Sequence, residues 1–244
     1  MTECCPQELL IDTLAGMLAG LGHVAVGAAS PIPGAAALLA RAREPRLRVS
    51  ILGSERHNPF TDGGKELFDC AAQGRIDAFF LGGGQIDGAA NINLVGVDGY
   101  PQSRVRWPGS FGSAYLYFLV PRVILFREEH TSRVLVPKVE FISAPGTSAP
   151  GVDRPGGPYA LVTGRCVFRF DAEQRRFRLA SVHPGHSVEE IAQHTGFAYD
   201  VPDEVPQTPN PSAETLALIR GRIGAEIAET YPAFAARVLG VSAA

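Results

Sequence analysis

The sequence predicts an α/β fold, an open and mostly parallel sheet that is flanked by helices. Short apolar runs alternate with helix-forming segments through the first third of the chain, and this alternation is typical of parallel α/β sheets. The second and third of these runs lead into glycine-containing loops, at residues 53–58 and 82–84. In such sheets ligands lie beyond the carboxyl ends of the strands, so these loops are the first places to look for a site.

Hydrophobic periodicity and breaker residues set the limits of each predicted element. Helices are predicted at residues 9–21, 35–43, 64–73 and 212–238, with another that begins at Ser187. Strands are predicted at residues 23–26, 48–53, 76–81, 122–126, 138–142, 159–163, 166–170 and 177–182. Ser187 and Glu190 have the spacing of a capping box. We expect the last helix to be interrupted near residues 221–224, where two glycines lie, and at Pro232.

Length and composition indicate one soluble domain over residues 1–244. Its hydrophobic fraction of 45% is ordinary for a globular protein, and the Pro- and Gly-rich residues 144–158 are predicted to form a loop within that domain. A net charge of −3 gives no broad basic field, so nucleic acid is not an expected partner. No apolar run approaches the ~20 residues that span a bilayer, and residues 1–7 carry no basic segment. We therefore expect a cytoplasmic protein without membrane association.

The cysteines and histidines predict no metal centre. The chain contains four cysteines, Cys4, Cys5, Cys70 and Cys166. Their spacing fits neither a disulfide framework nor a metal-binding knuckle, and we expect Cys4 and Cys5 to be free thiols at a frayed terminus, as suits a reducing cytoplasm. A Pro-Gly pair between His183 and His186 places these two side chains on a turn rather than on one helix face.

The loop at residues 53–58 supplies a serine, a glutamate and a histidine at the carboxyl end of a predicted strand. These side chains can serve in acid–base or nucleophilic catalysis. The alternative is a solvated loop in which Glu55 and Arg56 are exposed. The sequence has no Gly-x-Ser-x-Gly elbow, so a serine-hydrolase triad has little support.

A second loop begins with three glycines at residues 82–84 and continues with the amide side chains of Gln85, Asn91 and Asn93. Glycines let a backbone approach a ligand closely and expose its N–H donors. The alternative is a tight crossover with Asn and Asp turns. The dinucleotide-binding fingerprint Gly-x-Gly-x-x-Gly is absent from this segment.

A third loop places Arg104 and Arg106 before the small residues of positions 108–113. The arginines could meet a carboxylate or phosphate, and backbone N–H groups in the loop could stabilise an oxyanion. The alternative is a turn with surface arginines.

Taken together, these segments resemble the β subunits of glutaconate-type family I coenzyme A transferases. The sequence GQIDGAANIN at residues 84–93 resembles the family's AQVDxxGNIN segment, and PGSFG at residues 108–112 resembles its PGSGG loop. Residues 162–197, with HPG at 183–185 and TGF at 195–197, resemble its VVTDLAVF … HPGVTVEEV … TGF run. The motifs occur in order over nearly the whole chain, so the resemblance implies the family I transferase fold.

In the transferases of this family, a β-subunit glutamate at the end of the second strand attacks the thioester. By resemblance, Gly53 falls at that position here, Glu55 lies two residues later, and Phe111 replaces a glycine of the family loop. Both departures resemble one branch, the β subunits of hydrolases that open the last ring of a steroid-derived acyl-CoA in bacterial cholesterol and bile-acid catabolism. That branch implies a retro-Claisen hydrolysis whose acid–base group lies on an α subunit.

The expected site draws on all three loops. Catalytic roles are assigned to Glu55 and to the backbone N–H groups of Gly84 and Gly109 as oxyanion donors. The expected substrate- and CoA-binding residues are Gly53, Ser54, His57, Asn58, Gly83, Gln85, Asn93, Arg104, Arg106, Ser110, Phe111 and Gly112. The resemblance implies no metal and no tightly bound cofactor, because coenzyme A enters as part of the acyl-CoA substrate.

The resemblance also implies an α-type partner subunit, in an αβ or α2β2 assembly. Two further functions stay open. One is a true CoA-transferase that moves CoA between carboxylic acids through a glutamyl-CoA intermediate at Glu55. The other is a non-catalytic scaffold subunit.

Overall fold

The computed structural model describes residues 4–241. The chain divides into two compact units. The first contains the chain up to Leu67, Arg75–Phe79, and the chain from Pro209 onwards. The second contains Phe68–Gly74 and Phe80–Thr208. The single domain expected from the sequence stays a prediction.

The described residues form helices and strands as follows. The helices are α1 Pro6–Gly16, α2 Pro31–Arg43, α3 Gly63–Ala72, α4 Ser113–Leu119, α5 Val188–His194, α6 Ala213–Leu218, α7 Gly224–Ala228 and α8 Pro232–Leu239, and a π-helical turn at Ile219–Ile223 joins α6 to α7. The strands are β1 His23–Val26, β2 Arg48–Ile51, β3 Ala78–Leu81, β4 Gln85–Ile86, β5 Ile92–Asn93, β6 Gly96–Val97, β7 Val105–Arg106, β8 Arg122–Arg127, β9 Pro158–Thr163, β10 Cys166–Asp171 and β11 Arg176–Val182.

The main sheet has seven strands in the order β11-β10-β9-β8-β3-β1-β2. Strand β1 is parallel to β2 and β3, β8 is parallel to β9, and β10 is antiparallel to both β9 and β11. All four residues of β1 and of β3 are buried, as expected where helices cover a parallel sheet. The predicted α/β class, with mostly parallel strands, is confirmed. Two short antiparallel pairs, β4–β5 and β6–β7, stand outside this sheet.

The strand predicted at residues 138–142 is wrong. Its backbone N–H groups are bound by side chains instead of by a neighbouring strand: Val139 N donates to Asp87 Oδ2 (3.4 Å) and Glu140 N donates to Gln85 Oε1 (3.0 Å). Because these donors are already satisfied, the segment needs no ladder partner. Its alternating apolar residues reflect partial burial rather than sheet pairing.

Element ends differ from prediction where side chains or torsions intervene. Strand β2 ends at Ile51, since Gly53 adopts a φ of +90° that breaks an extended chain. Strand β3 starts at Ala78, because the Asp77 carboxylate accepts the N–H groups of Gly22 and His23 (2.7 and 2.8 Å). Helix α2 begins earlier than predicted, with a proline in its first turn, a position that needs no N–H.

The N-terminal cysteine pair is ordered rather than frayed, which corrects the prediction. Cys5 is the N-cap of α1, and its N–H donates to the Glu8 carboxylate (2.9 Å). Glu8 is only 1% exposed and pairs with Arg220 through two hydrogen bonds, one of 2.8 Å between Nη2 and Oε2. Burial alone would raise the pKa of Glu8, but the hydrogen bonds and charge of Arg220 outweigh it and lower the pKa. All four cysteines are free thiols.

Arg220 lies in the π-helical turn, so the interruption predicted near residues 221–224 is a change of helix type rather than a gap. Pro232 does start a new helix, α8, as predicted. At α5 the Ser187 hydroxyl accepts Glu190 N (3.2 Å), which confirms the cap. The Glu190 carboxylate instead binds His186 and Arg165 (2.9 and 3.0 Å), so the reciprocal half of the capping box is absent.

Two common functional features are absent from residues 4–241. No helix there is long and apolar enough to cross a bilayer. No group of three or more His, Cys, Asp or Glu side chains in that part of the chain is arranged to hold a metal ion.

Two buried histidines lie in a cluster of hydroxyl groups in the second unit. His130 places its ring nitrogens 2.8 Å from Thr163 Oγ1 and 3.0 Å from Thr195 Oγ1. His183 lies 2.8 Å from Thr208 Oγ1 through Nδ1, and its Nε2 donates to the Thr163 carbonyl (3.0 Å). Burial lowers the pKa of each histidine from 6.5 to about 4, because a charged ring would lose its water.

We expect the free energy of unfolding to fall as the pH drops from 6.5 towards 4. The folded pKa lies below the unfolded value, so the unfolded chain takes up protons first and stability present above pH 6.5 is lost on acidification. One such histidine accounts for up to about 3 kcal/mol. In urea unfolding between about pH 7.5 and pH 5, His183→Gln should show a shallower decline than the parent. Val201→Ala, at an exposed position, should keep the parent's decline, and an equal decline in His183→Gln would contradict the prediction.

Candidate functional site

In the first unit, the loop after β2 folds back on the end of its own strand. Gly53 has a φ of +90°, and Ser54 N donates to Ile51 O (3.1 Å). Ile51 N in turn donates to His57 O (2.9 Å). The loop is therefore a tight, hydrogen-bonded turn that carries Glu55 and Arg56 at its exposed tip.

A carboxylate from the C-terminal helices holds this loop. Glu229 accepts the Ser54 hydroxyl (2.7 Å), the Glu55 N–H (2.6 Å) and the Thr230 hydroxyl (2.6 Å). Ser54 is buried, and its oxygen also accepts His57 N (2.9 Å). Burial raises the pKa of Glu229, but hydrogen bonds from Thr230, Ser54 and the loop backbone outweigh it and lower the pKa. Sequence reasoning missed Glu229, which no local motif marks.

His57 also faces the C-terminal helices. Its Nδ1 lies 3.4 Å from Arg41 Nη1, and its Nε2 lies 3.7 Å from Glu226 Oε2. Arg41 itself pairs with Glu226 (2.7 Å). Because a guanidinium only donates, Nδ1 accepts and the proton of the neutral ring sits on Nε2, towards the carboxylate. Burial, and next the charge of Arg41, lower the pKa of His57.

The loop residues therefore divide into two groups. The Ser54 hydroxyl is bound to the Glu229 carboxylate. The His57 ring faces Arg41 and Glu226, but its buried Nε2 has no hydrogen-bond partner among the described residues. The substrate contacts expected of both residues stay predictions. Glu55 is exposed, and its backbone is fixed by Glu229. Asn58 is half-buried, and its side-chain oxygen accepts the N–H of Phe60 (3.3 Å).

In the second unit, buried amides tie the strand pairs β4–β5 and β6–β7 together. Asn93 Nδ2 donates to Gln85 Oε1 (2.9 Å) and to Gly96 O (2.8 Å). Gln85 Nε2 donates to Glu140 Oε1 (3.1 Å). The Asn93 side-chain oxygen accepts Val95 N (3.0 Å). Gln85 and Asn93, both expected to bind substrate, here use these hydrogen bonds to hold the backbone.

The glycines at the end of β3 make close contacts within the chain. A Cβ at Gly84 would lie 2.2 Å from the Trp107 ring, and one at Gly83 would lie 2.6 Å from Ile92. The N–H of Gly84 donates to Asn93 O (2.9 Å). The Gly84 N–H is thus already bound to a carbonyl in this subunit, and its expected role as an oxyanion donor stays a prediction.

The loop at residues 108–112 is more open. Gly109 is exposed, and its N–H has no hydrogen-bond acceptor among the described residues. Ser110 is exposed as well, and the Phe111 side chain is 82% exposed. Gly112 adopts a φ of +66° and is the N-cap of α4. Of the two expected oxyanion donors, Gly109 is thus the one whose N–H is available.

The two arginines before this loop have different surroundings. Arg104 pairs with Asp98 (2.7 Å). Arg106 donates to Pro101 O (3.1 Å) and forms no salt bridge with the residues that the structure describes. Both side chains are exposed. Arg106 is therefore the better placed of the two to meet an anion.

We expect Glu229→Ala to loosen the loop at residues 53–58. Removing the carboxylate leaves the buried Ser54 hydroxyl and the Glu55 N–H without an acceptor, which costs about 1–3 kcal/mol of unfolding free energy. Amide hydrogen exchange at residues 54–56 should accelerate by about tenfold or more. Glu214→Ala removes an exposed carboxylate of α6 and serves as control. Equal exchange at residues 54–56 in both variants would show that Glu229 does not hold the loop.

Known proteins share both the sequence pattern and the fold of this chain. The family model for coenzyme A transferase matches residues 8–194. A 3-oxoadipate CoA-transferase subunit from Pseudomonas knackmussii is 33% identical over 154 residues, which cover 60% of this chain and 58% of the relative. The match thus spans less than two thirds of that relative's length.

Longer matches come from two other proteins. The cholesterol ring-cleaving hydrolase IpdB subunit from Rhodococcus jostii is 26% identical, over 90% of this chain and 92% of the relative. The solved IpdAB structure from that organism has a TM-score of 0.76 at 25% identity and covers 90% of this chain and 94% of its own. The decarboxylase AibA/AibB has a TM-score of 0.77 at 28% identity, with 89% and 94% covered. Since the family model covers well over half of the sequence, this chain belongs to the coenzyme A transferase family.

Proposed function

We propose that the chain is one subunit of a heteromeric acyl-CoA enzyme that opens a ring of a steroid-derived cyclic acyl-CoA by hydrolysis. The observation that carries the proposal is Gly53. It lies two residues after the end of β2, at the position where the resemblance to transferases places a nucleophilic glutamate, and it has no side chain. The match to a ring-cleaving hydrolase subunit over nearly the full length of both chains supports the same interpretation.

The reaction requires no carboxylate nucleophile. Water adds to a ring ketone at the β-carbon of the thioester, and the bond between that carbon and the α-carbon breaks. The former ketone becomes a carboxylic acid, and the thioester enolate that is released takes up a proton at the α-carbon. Negative charge develops on the thioester oxygen, so a fixed N–H donor lowers the barrier. The N–H of Gly109, which is exposed and has no acceptor within residues 4–241, is suited to that role.

The proposed enzyme needs a second, α-type subunit, in an αβ or α2β2 assembly. The names of the relatives support this, since they are given as subunits or as two-component structures. By resemblance to the ring-cleaving branch, the group that activates water is assigned to the partner.

A CoA-transferase that works through Glu55 is the second candidate. Glu55 is exposed while its backbone is fixed by Glu229, and a transferase subunit shares 33% identity over part of the chain. In that reaction the Glu55 carboxylate would attack the thioester and displace CoA, which joins the acyl group to Glu55. The released CoA thiolate would then attack the Glu55 carbonyl and displace the acyl group as a carboxylate. A glutamyl-CoA thioester would form as the covalent intermediate.

Co-expression with the α-type partner separates the two candidates. The assembled enzyme should open a steroid-derived ring acyl-CoA without any acceptor acid, and Glu55→Gln should keep kcat/KM within about threefold, a difference below 1 kcal/mol. Borohydride added during turnover should leave Glu55 unreduced by mass spectrometry. CoA exchange with an acceptor acid, reduction at Glu55 and loss of activity in Glu55→Gln would instead establish the transferase.

A further inference from the structure

Three aromatic side chains form a cluster at the surface of the second unit. The Phe111 ring centroid lies 5.7 Å from that of Phe68, tilted by 46°, and the Tyr115 ring lies 5.7 Å from Phe68 on an edge-to-face contact of 72°. Phe68 is half-buried beneath, whereas Phe111 is 82% exposed and Tyr115 is 46% exposed. Such spacings are favourable for aromatic pairs, so the cluster is a packed platform rather than three separate rings.

The backbone fixes the platform in place. Gly112 has a φ of +66°, and a Cβ there would lie 2.2 Å from the Phe68 ring. The loop can approach Phe68 so closely only because position 112 is a glycine. Helix α4 starts at the next residue and carries Tyr115. Phe111 and Tyr115 thus each pack against the Phe68 ring, while Phe111 is left 82% exposed.

The same loop also presents polar groups. The N–H of Gly109, two residues before Phe111, is exposed and has no acceptor among the described residues. Arg106, earlier in the same segment, is exposed and forms no salt bridge in the described part of the chain. An apolar platform whose own chain segment carries a cation and an N–H donor without an acceptor in the described residues fits a ligand with a flat apolar body and an oxygen-rich, anionic end. A small polar acid would leave the rings uncovered.

We propose that Phe111, packed on Phe68, is the specificity-determining residue that stacks against the fused-ring body of the acyl group. The identity of the ligand rests on the proposed function. The substrate is the occupant of the platform, and coverage of the same rings by the partner subunit is the alternative that the experiment distinguishes.

The test uses the assembled two-subunit enzyme with Phe111→Ala and Phe111→Leu. Binding of a fused-ring acyl-CoA and of free CoA would be measured by calorimetry. Phe111→Ala should weaken binding of the fused-ring acyl-CoA by about tenfold or more and leave the affinity for free CoA unchanged, while Phe111→Leu should recover part of the loss. Val201→Ala, at another exposed apolar position of the same unit, should change neither affinity.

The role of Phe111 in binding and the proposed ring-opening reaction can fail independently of each other. An unchanged affinity of Phe111→Ala for the fused-ring acyl-CoA would overturn the platform even if the enzyme opens the ring. Dissociation of the subunits in Phe111→Ala, seen by size-exclusion chromatography with light scattering, would overturn it too, because the rings would then be a subunit contact. A parent enzyme that binds the ring acyl-CoA through Phe111 but does not open it would sink the proposed reaction and leave the platform standing.

Discussion

The loop after β2 depends on one acceptor, the Glu229 carboxylate. The left-handed Gly53 turns the chain away from the sheet. The N–H of Ser54 still donates to the Ile51 carbonyl, but the Ser54 hydroxyl and the Glu55 N–H need acceptors elsewhere. Glu229 supplies both from the end of α7. Two further carboxylates join the first unit to its C-terminal helices, Glu226 through Arg41 and Glu8 through Arg220. The C-terminal helices thus hold the loop in its conformation.

The parts of the fold that sequence could predict are those set by local pattern. Buried runs such as residues 23–26 gave parallel strands, and Pro232 gave a helix start, because each depends on neighbouring residues alone. Residues 138–142 also have a strand-like pattern, but they form no strand, because side chains from a distant segment bind their N–H groups. The role of Cys5 was missed for a similar reason: its cap depends on a glutamate that a remote arginine keeps charged.

Contacts between distant parts of the chain also decide the surroundings of the candidate site residues, and the sequence does not show them. Glycine-rich sequence and family resemblance marked Gly84 and Gly109 alike, yet only one has a free N–H, and the difference lies in a hydrogen bond to Asn93. Glu229 lies more than 170 residues from the loop that it binds, so no spacing rule reaches it. Phe111, in contrast, was marked from the sequence as a departure from the family loop. Its exposure gives that departure a physical meaning that the residue type alone did not have.

Gly53 has a consequence for how the chemistries of this fold could interconvert during evolution. The space beside it is empty, since a Cβ there would meet no atom within 4 Å. A φ of +90° is one that L-residues rarely adopt, at a cost of roughly 1–2 kcal/mol. A glutamate at this position would therefore either bear that strain or need a different turn, and the present turn is the one that sets the Glu55 N–H on Glu229. A lineage crossing between the two reactions would have to accommodate the turn as well as the residue.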